Sequence, residues 1–146
     1  MRIPKIKTSV LSLVLFLGAM PLFAQYAGNW VGEGYGKCPH PALPGQAIYP
    51  WQKWGGSIPI SLSDFTGKWS DSGGNLGYFK GTLTYQGPIS AEYRGVWGWI
   101  DTSVFPPYYK ELGKFYMNFR LATMTCKGEW WTMDGSANGW MKGKRE

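Results

Sequence analysis

Repeatedly along this chain an aromatic or other apolar residue is followed two positions later by glycine, and two positions after that by a large apolar residue. The element occurs at Tyr26, Gly28 and Trp30; at Phe65, Gly67 and Trp69; at Phe79, Gly81 and Leu83; at Tyr93, Gly95 and Trp97; and at Cys126, Gly128 and Trp130. A step of two is the period of a β-strand, so in each copy the bulky residues and the glycine share one face. That face reads as the interior, where each glycine gives room to a neighbouring indole and lets the strand bend sharply. Trp30, Trp69, Trp97 and Trp130 are accordingly expected in the core.

The same period runs from Gly113 to Leu121, where Phe115, Met117, Phe119 and Leu121 share one parity and Lys114, Tyr116, Asn118 and Arg120 the other. That is a strand with one face buried. Three of the repeats start at 65, 79 and 93, an even spacing of fourteen, and turn signals stand at Asp71 to Gly74 and Asp134 to Ser136. Hairpins in sequence order follow. Gly67 to Trp69 with Asn75 to Gly81 also align with Gly128 to Trp130 and Asn138 to Gly143, so two hairpins share one design. No window after Gln25 has the apolar spacing of a helix. The expected fold is all-β: an antiparallel up-and-down meander of about eight strands, closed or nearly closed into a small barrel. The strands are expected near 26–36, 57–63, 65–70, 78–86, 91–101, 113–122, 125–132 and 138–144, with the first pairing to the last. Eight is the number at which a barrel is just filled by side chains or holds one small ligand. A two-layer β-sandwich is the open alternative.

The N-terminus carries a different signal. Arg2, Lys5 and Lys7 precede an uncharged run from Val10 to Met20, broken by Gly18 and Pro21 just before Leu22, Phe23 and Ala24. This reads as a signal peptide over residues 1–24, cleaved after Ala24 or, as a second choice, after Ala27. A run of about ten residues falls short of the roughly twenty that span a bilayer, which disfavours the other reading, an uncleaved anchor. Residues 25–146 then form one domain, secreted or periplasmic, with no stable membrane insertion. Three of the fifteen basic residues lie in the leader, and twelve against nine acidic ones leave a net charge of +3. The remaining cations are scattered singly along the chain, so no nucleic-acid partner is expected.

Cys38 and Cys126 are an even pair in an exported chain, which reads first as a disulfide and second as part of a metal site. With His40 the only histidine, no metal and no cofactor is expected. Catalysis also lacks a constellation. His40 stands between two prolines, and Asp64, Asp71, Glu92, Asp101, Glu111, Glu129 and Asp134 fall in turns or at outward positions, so the chain reads as a non-enzyme.

Residues 65 to 85 resemble the first hairpin of avidin-like barrels, in Gly67, Lys68 and Trp69, the polar turn Asp71 to Asn75, and the strand Phe79 to Leu83. Gly28 and Trp30 resemble the start of lipocalin-like barrels. The resemblance implies a calycin-type barrel in which Asp71 and Asn75 hold the positions of ligand-contacting polar residues. The residues themselves point to two proline-bearing loops as a binding surface. One carries Tyr49, Trp51 and Trp54, the other Tyr108 and Tyr109, and stiffened aromatics lose little entropy on binding. The preferred reading is a non-catalytic module taking a small molecule or glycan at the barrel mouth. The alternative is an envelope or matrix protein, or an inhibitor, that meets another macromolecule through exposed aromatic and lysine faces such as Tyr78 with Lys80 and Trp140 with Lys142.

N-terminal sequencing of the exported protein should return a chain beginning at or near Gln25. A chain beginning at Met1 outside the cytoplasm would contradict the leader.

Overall fold

The computed structural model describes residues 24–146; the leader read over residues 1–24 lies outside them but for its last residue. After a single 3-10 turn at Ala24–Tyr26 the chain runs through β1 (Gly28–Tyr35), β2 (Cys38–Pro39), β3 (Ala47–Ile48), β4 (Lys53–Ile58) and β5 (Asp64–Ser70). It continues through β6 (Leu76–Gln86), β7 (Ser90–Asp101), β8 (Tyr108–Arg120), β9 (Thr125–Thr132) and β10 (Asn138–Arg145). Eight of these close an antiparallel barrel in the order β1, β10, β9, β8, β7, β6, β5, β4, while β2 and β3 form a small separate hairpin in the link between β1 and β4. The up-and-down barrel is the fold the alternation calls for, and β1 does pair with the last strand.

Cross-strand pairs of one kind hold the wall together. Trp30 stands opposite Gly56, Trp54 opposite Gly32, Trp69 opposite Gly77, Trp97 opposite Gly113, and Trp130 opposite Gly139. In most of them the indole lies over its partner glycine: a methyl group added at Gly139 would come 2.5 Å from Trp130 Nε1, and one at Gly113 2.7 Å from Trp97 Nε1. Through that gap the ring reaches the backbone of the wall. Trp97 Nε1 donates to the carbonyls of Lys114 and Trp131 at 3.1 and 3.2 Å, and Trp130 Nε1 to that of Tyr35 at 3.2 Å. Rings fill the interior: Trp97 and Trp130 meet edge to face at 5.2 Å, Trp30 and Phe119 at 4.7 Å. All four tryptophans expected in the core are buried.

Two boundaries differ from expectation. The strand read at 57–63 lies at 53–58, because Gly55 and Gly56 pair with β1 while Leu62 takes a left-handed backbone conformation (φ 61°) in the turn that follows. β8 begins at Tyr108 rather than 113, extended by pairing with the end of β7 across a bulge at Trp97 and Gly98. A third difference matters more. Trp51 and Trp54, expected on an open loop, are buried. Trp54 points inward from β4. Trp51, at φ 63°, turns its ring into the barrel end, where it stacks on Phe79 at 4.4 Å and lies 5.0 Å from Phe115.

Trp51→Ala should therefore cost about 3–5 kcal/mol in urea unfolding, whereas Tyr49→Ala, at an exposed position, should stay within about 0.5 kcal/mol. Gly139→Ala should cost about 1–3 kcal/mol from overpacking against the Tyr35 carbonyl and the Trp130 ring. A neutral Gly139→Ala would show that neither the Tyr35 backbone nor the indole closes over that glycine.

Candidate functional site

Outward positions alternate with the packed inner ones, and on five neighbouring strands, β4, β1, β10, β9 and β8, they line up in rows. Register places Lys53 beside Glu33, Glu33 beside Lys142, Lys142 beside Lys127, and Lys127 beside Asn118. One step along the strands, Val31, Lys144, Thr125 and Arg120 form a second row. Together these residues line a groove of about 1160 Å³, floored by the backbone at Gly32 and Gly143 with the Trp54 ring beneath. Five cations face it and one carboxylate, Glu33, which meets Lys142 at 3.4 Å with both side chains exposed. An exposed pair of that kind is worth about 0–1 kcal/mol and leaves the ammonium free to be shared. Lys127 and Lys142 stand directly opposite one another, an arrangement of like charges that costs a sheet stability.

A third row lies one step from the first in the opposite direction along the strands: Tyr35, Trp140, Glu129, Tyr116 and Arg94. Tyr35 and Trp140 are stacked at 5.9 Å with 14° between their planes, and the Arg94 guanidinium lies 4.5 Å over the Tyr116 ring. A groove of about 600 Å³ runs past Tyr116, Glu129 and Trp140 and joins the cation rows at Lys127 and Lys142.

The residues singled out from the sequence separate into three groups. Tyr49, Tyr108 and Tyr109 are exposed, and Tyr109 packs against Tyr78 at 5.2 Å. Trp51 and Trp54 belong to the core and leave the expected binding surface, since their rings fill the mouth they were to line. Asp71 and Asn75 organise the β5–β6 turn: the Asp71 carboxylate accepts from the backbone of Gly73, Asn75 and Tyr49 and from the Asn75 side-chain amide. A cleft of about 280 Å³ does open at this end, between the β2–β3 hairpin and β7, where Asn75, His40, Trp99 and Asp101 meet. The His40 imidazole is held by accepting from the backbone of Ala42 and Leu43 at Nδ1. Lys53, Arg120, Lys127, Lys144, Tyr116 and Glu129 were not singled out, although the strand parity marks most of them as outward.

The disulfide expected between Cys38 and Cys126 is absent; both thiols are free and buried. Cys38 lies near Asp134 of the β9–β10 turn, while Cys126 stands at the other end of β9, beside the turn from β8. Eight residues of strand cover about 25 Å, and a bridge needs Cα atoms within about 7 Å. Burial pushes both thiols up to about 12, with the Asp134 charge adding to the effect at Cys38. Among the described residues no three His, Cys, Asp or Glu side chains gather as a metal ion would require.

Comparison with protein-family models, curated proteins and solved structures finds no match.

Because the folded thiols ionise at higher pH than the unfolded ones, their contribution to stability is intact below about pH 8.5 and is lost as pH rises toward 12. Cys126→Ala should flatten that alkaline loss in a pH series of thermal midpoints. Alkylation should label neither cysteine in the native protein and both after unreduced denaturation; protection of both after denaturation would restore the bridge.

Proposed function

We propose that the chain is exported and acts as a non-catalytic binding module that takes an anionic macromolecule on the outer wall of β8, β9, β10 and β1. The observation that supports this most is the direct opposition of Lys127 and Lys142 inside a groove also bordered by Lys53, Lys144 and Arg120. Strands stand about 4.8 Å apart, so one carboxylate, sulfate or phosphate group can accept from both ammonium groups at once. Bound, it removes the repulsion between them and gains two charge-assisted hydrogen bonds. Repeating acidic groups along a polymer would meet the two cation rows in turn. The inner face offers no comparable opening, since Trp51 and its neighbours occupy the barrel end. A small ligand in the cleft beside His40 and Asn75 is a second reading, favoured by the concave shape there alone.

Polygalacturonate, dextran sulfate and poly-L-glutamate serve as probes, with neutral dextran as control. The parent should bind at least one of the polyanions and not dextran, and binding should weaken as salt rises. Lys127→Gln and Lys142→Gln should each weaken it about tenfold, the effect of losing one charged hydrogen bond of about 1.5 kcal/mol. Both positions are exposed and the substitution removes a like-charge opposition, so the thermal midpoint should not fall. Retention of none of the polyanions, or full binding by the double variant, would remove the reading.

A further inference from the structure

The row next to the cations has a chemistry of its own. Trp140 on β10 and Tyr116 on β8 flank Glu129 on β9, and the three border one groove of about 600 Å³. Two strand spacings separate the aromatic residues, about 10 Å from backbone to backbone. Each ring is backed on the side away from the groove. Tyr35, on the strand beyond Trp140, stacks nearly parallel to it at 14°; Arg94, on the strand beyond Tyr116, lies 4.5 Å over that ring. Rings backed in this way are held in place before any ligand arrives, which lowers the ordering cost of binding. Both rings border the groove over β9, on either side of Glu129.

We infer that this slot seats a sugar ring of an acidic glycan, with its acid group on Lys127 and Lys142. The inference rests on the reading of the outer wall as an anion-binding face and names its ligand. The argument turns on Glu129. A carboxylate on the floor between two aromatic walls repels a ligand that is anionic throughout, such as a phosphodiester chain, a peptide of acidic residues or a charged lipid surface. It accepts hydrogen bonds from hydroxyl groups, and the apolar faces of a pyranose suit the two rings. The cations begin one row further along the strands, about 7 Å away, so hydroxyl recognition and acid recognition are separate but adjacent. A uronic acid or a sulfated sugar carries both kinds of group at that order of separation. Lys142 links the two parts, with its ammonium 3.4 Å from Glu33 and 5.8 Å from the Trp140 ring centroid.

The test compares ligands and variants by titration at constant salt. Polygalacturonate or dextran sulfate should bind at least tenfold more tightly than poly-L-glutamate, single-stranded DNA, or phosphatidylcholine vesicles containing phosphatidylglycerol. Trp140→Ala and Tyr116→Ala should each weaken glycan binding about tenfold and leave any residual poly-L-glutamate binding unchanged. Trp140→Phe should restore most of the loss, and unchanged thermal midpoints check that the variants are folded. Glu129→Gln should keep glycan binding while raising affinity for poly-L-glutamate, because the repulsion is gone and the hydroxyl acceptor remains. Equal affinity for glycan and poly-L-glutamate, preference for DNA or vesicles, or indifference to Trp140→Ala and Tyr116→Ala would overturn the sugar slot while leaving an anion-binding wall in place. Failure of every polyanion to bind would instead overturn the wall itself, and the slot with it.

Discussion

Everything in this barrel depends on seating indoles against glycines across the strands. A tryptophan that faces a side chain on the next strand must lie along the wall or push the strands apart; facing a glycine, it can lie over the neighbouring backbone. Trp97 and Trp130 use that access to satisfy their only polar atom, donating through the gap beside Gly113 and Gly139 to strand carbonyls. Burial of a large aromatic surface and satisfaction of its N–H are thus obtained together, which a tightly packed interior rarely permits for so many indoles. Trp51 and Trp69 are the exceptions, buried with no partner for the indole nitrogen. Trp51 also holds a left-handed backbone, and its stacking on Phe79 and its tilted contact with Phe115 act against both costs.

A core of this kind has a consequence for function. In a barrel of eight strands the interior is just large enough for side chains or for one small ligand, and here rings from every direction meet in it. Grooves open instead on the outer wall and at the strand ends. The wall is also where charge collects. Outward residues such as Lys68, Lys80 and Lys114 make it polar, the reverse of the apolar band on a lipid-facing barrel. Five of the cations converge on one side, with Glu33 the only acid among the residues lining that groove.

How far the sequence carries this result follows from the range of each signal. Parity is a local property, and it identified most of the strands and the inward Trp30, Trp69, Trp97 and Trp130, because each strand states its own inner face; β4 begins four residues before its expected strand, which put Trp54 on a loop. Trp51 escaped it, lying between Pro50 and Gln52 in a segment with no alternation, where only the three-dimensional position of Phe79 and Phe115 gives its ring a place. The cysteines show the same limit. Their residue types and compartment argued for a bridge, but β9 runs the height of the wall between them. The cation rows are the clearest instance. Lys53, Arg120 and Lys127 stand apart in the sequence, and only Lys142 and Lys144 are close enough to share a visible strand face. All of these become neighbours only when β1 closes onto β10 and β10 onto β9 in one register.

That register also explains how the wall can carry a function at small cost to the fold. The inner residues of β8, β9 and β10, among them Phe115, Met117, Trp130 and Met141, are fully buried and fix the strands in position. A slip of one residue would exchange the two faces and expose all of them. Repulsion between Lys127 and Lys142 amounts to a fraction of a kcal/mol or so on an exposed surface, far below the cost of such a slip. The sheet can therefore hold like charges opposite one another without rearranging to relieve them. Glu33, 3.4 Å from Lys142, offsets part of the repulsion, and the buried inner face holds what remains.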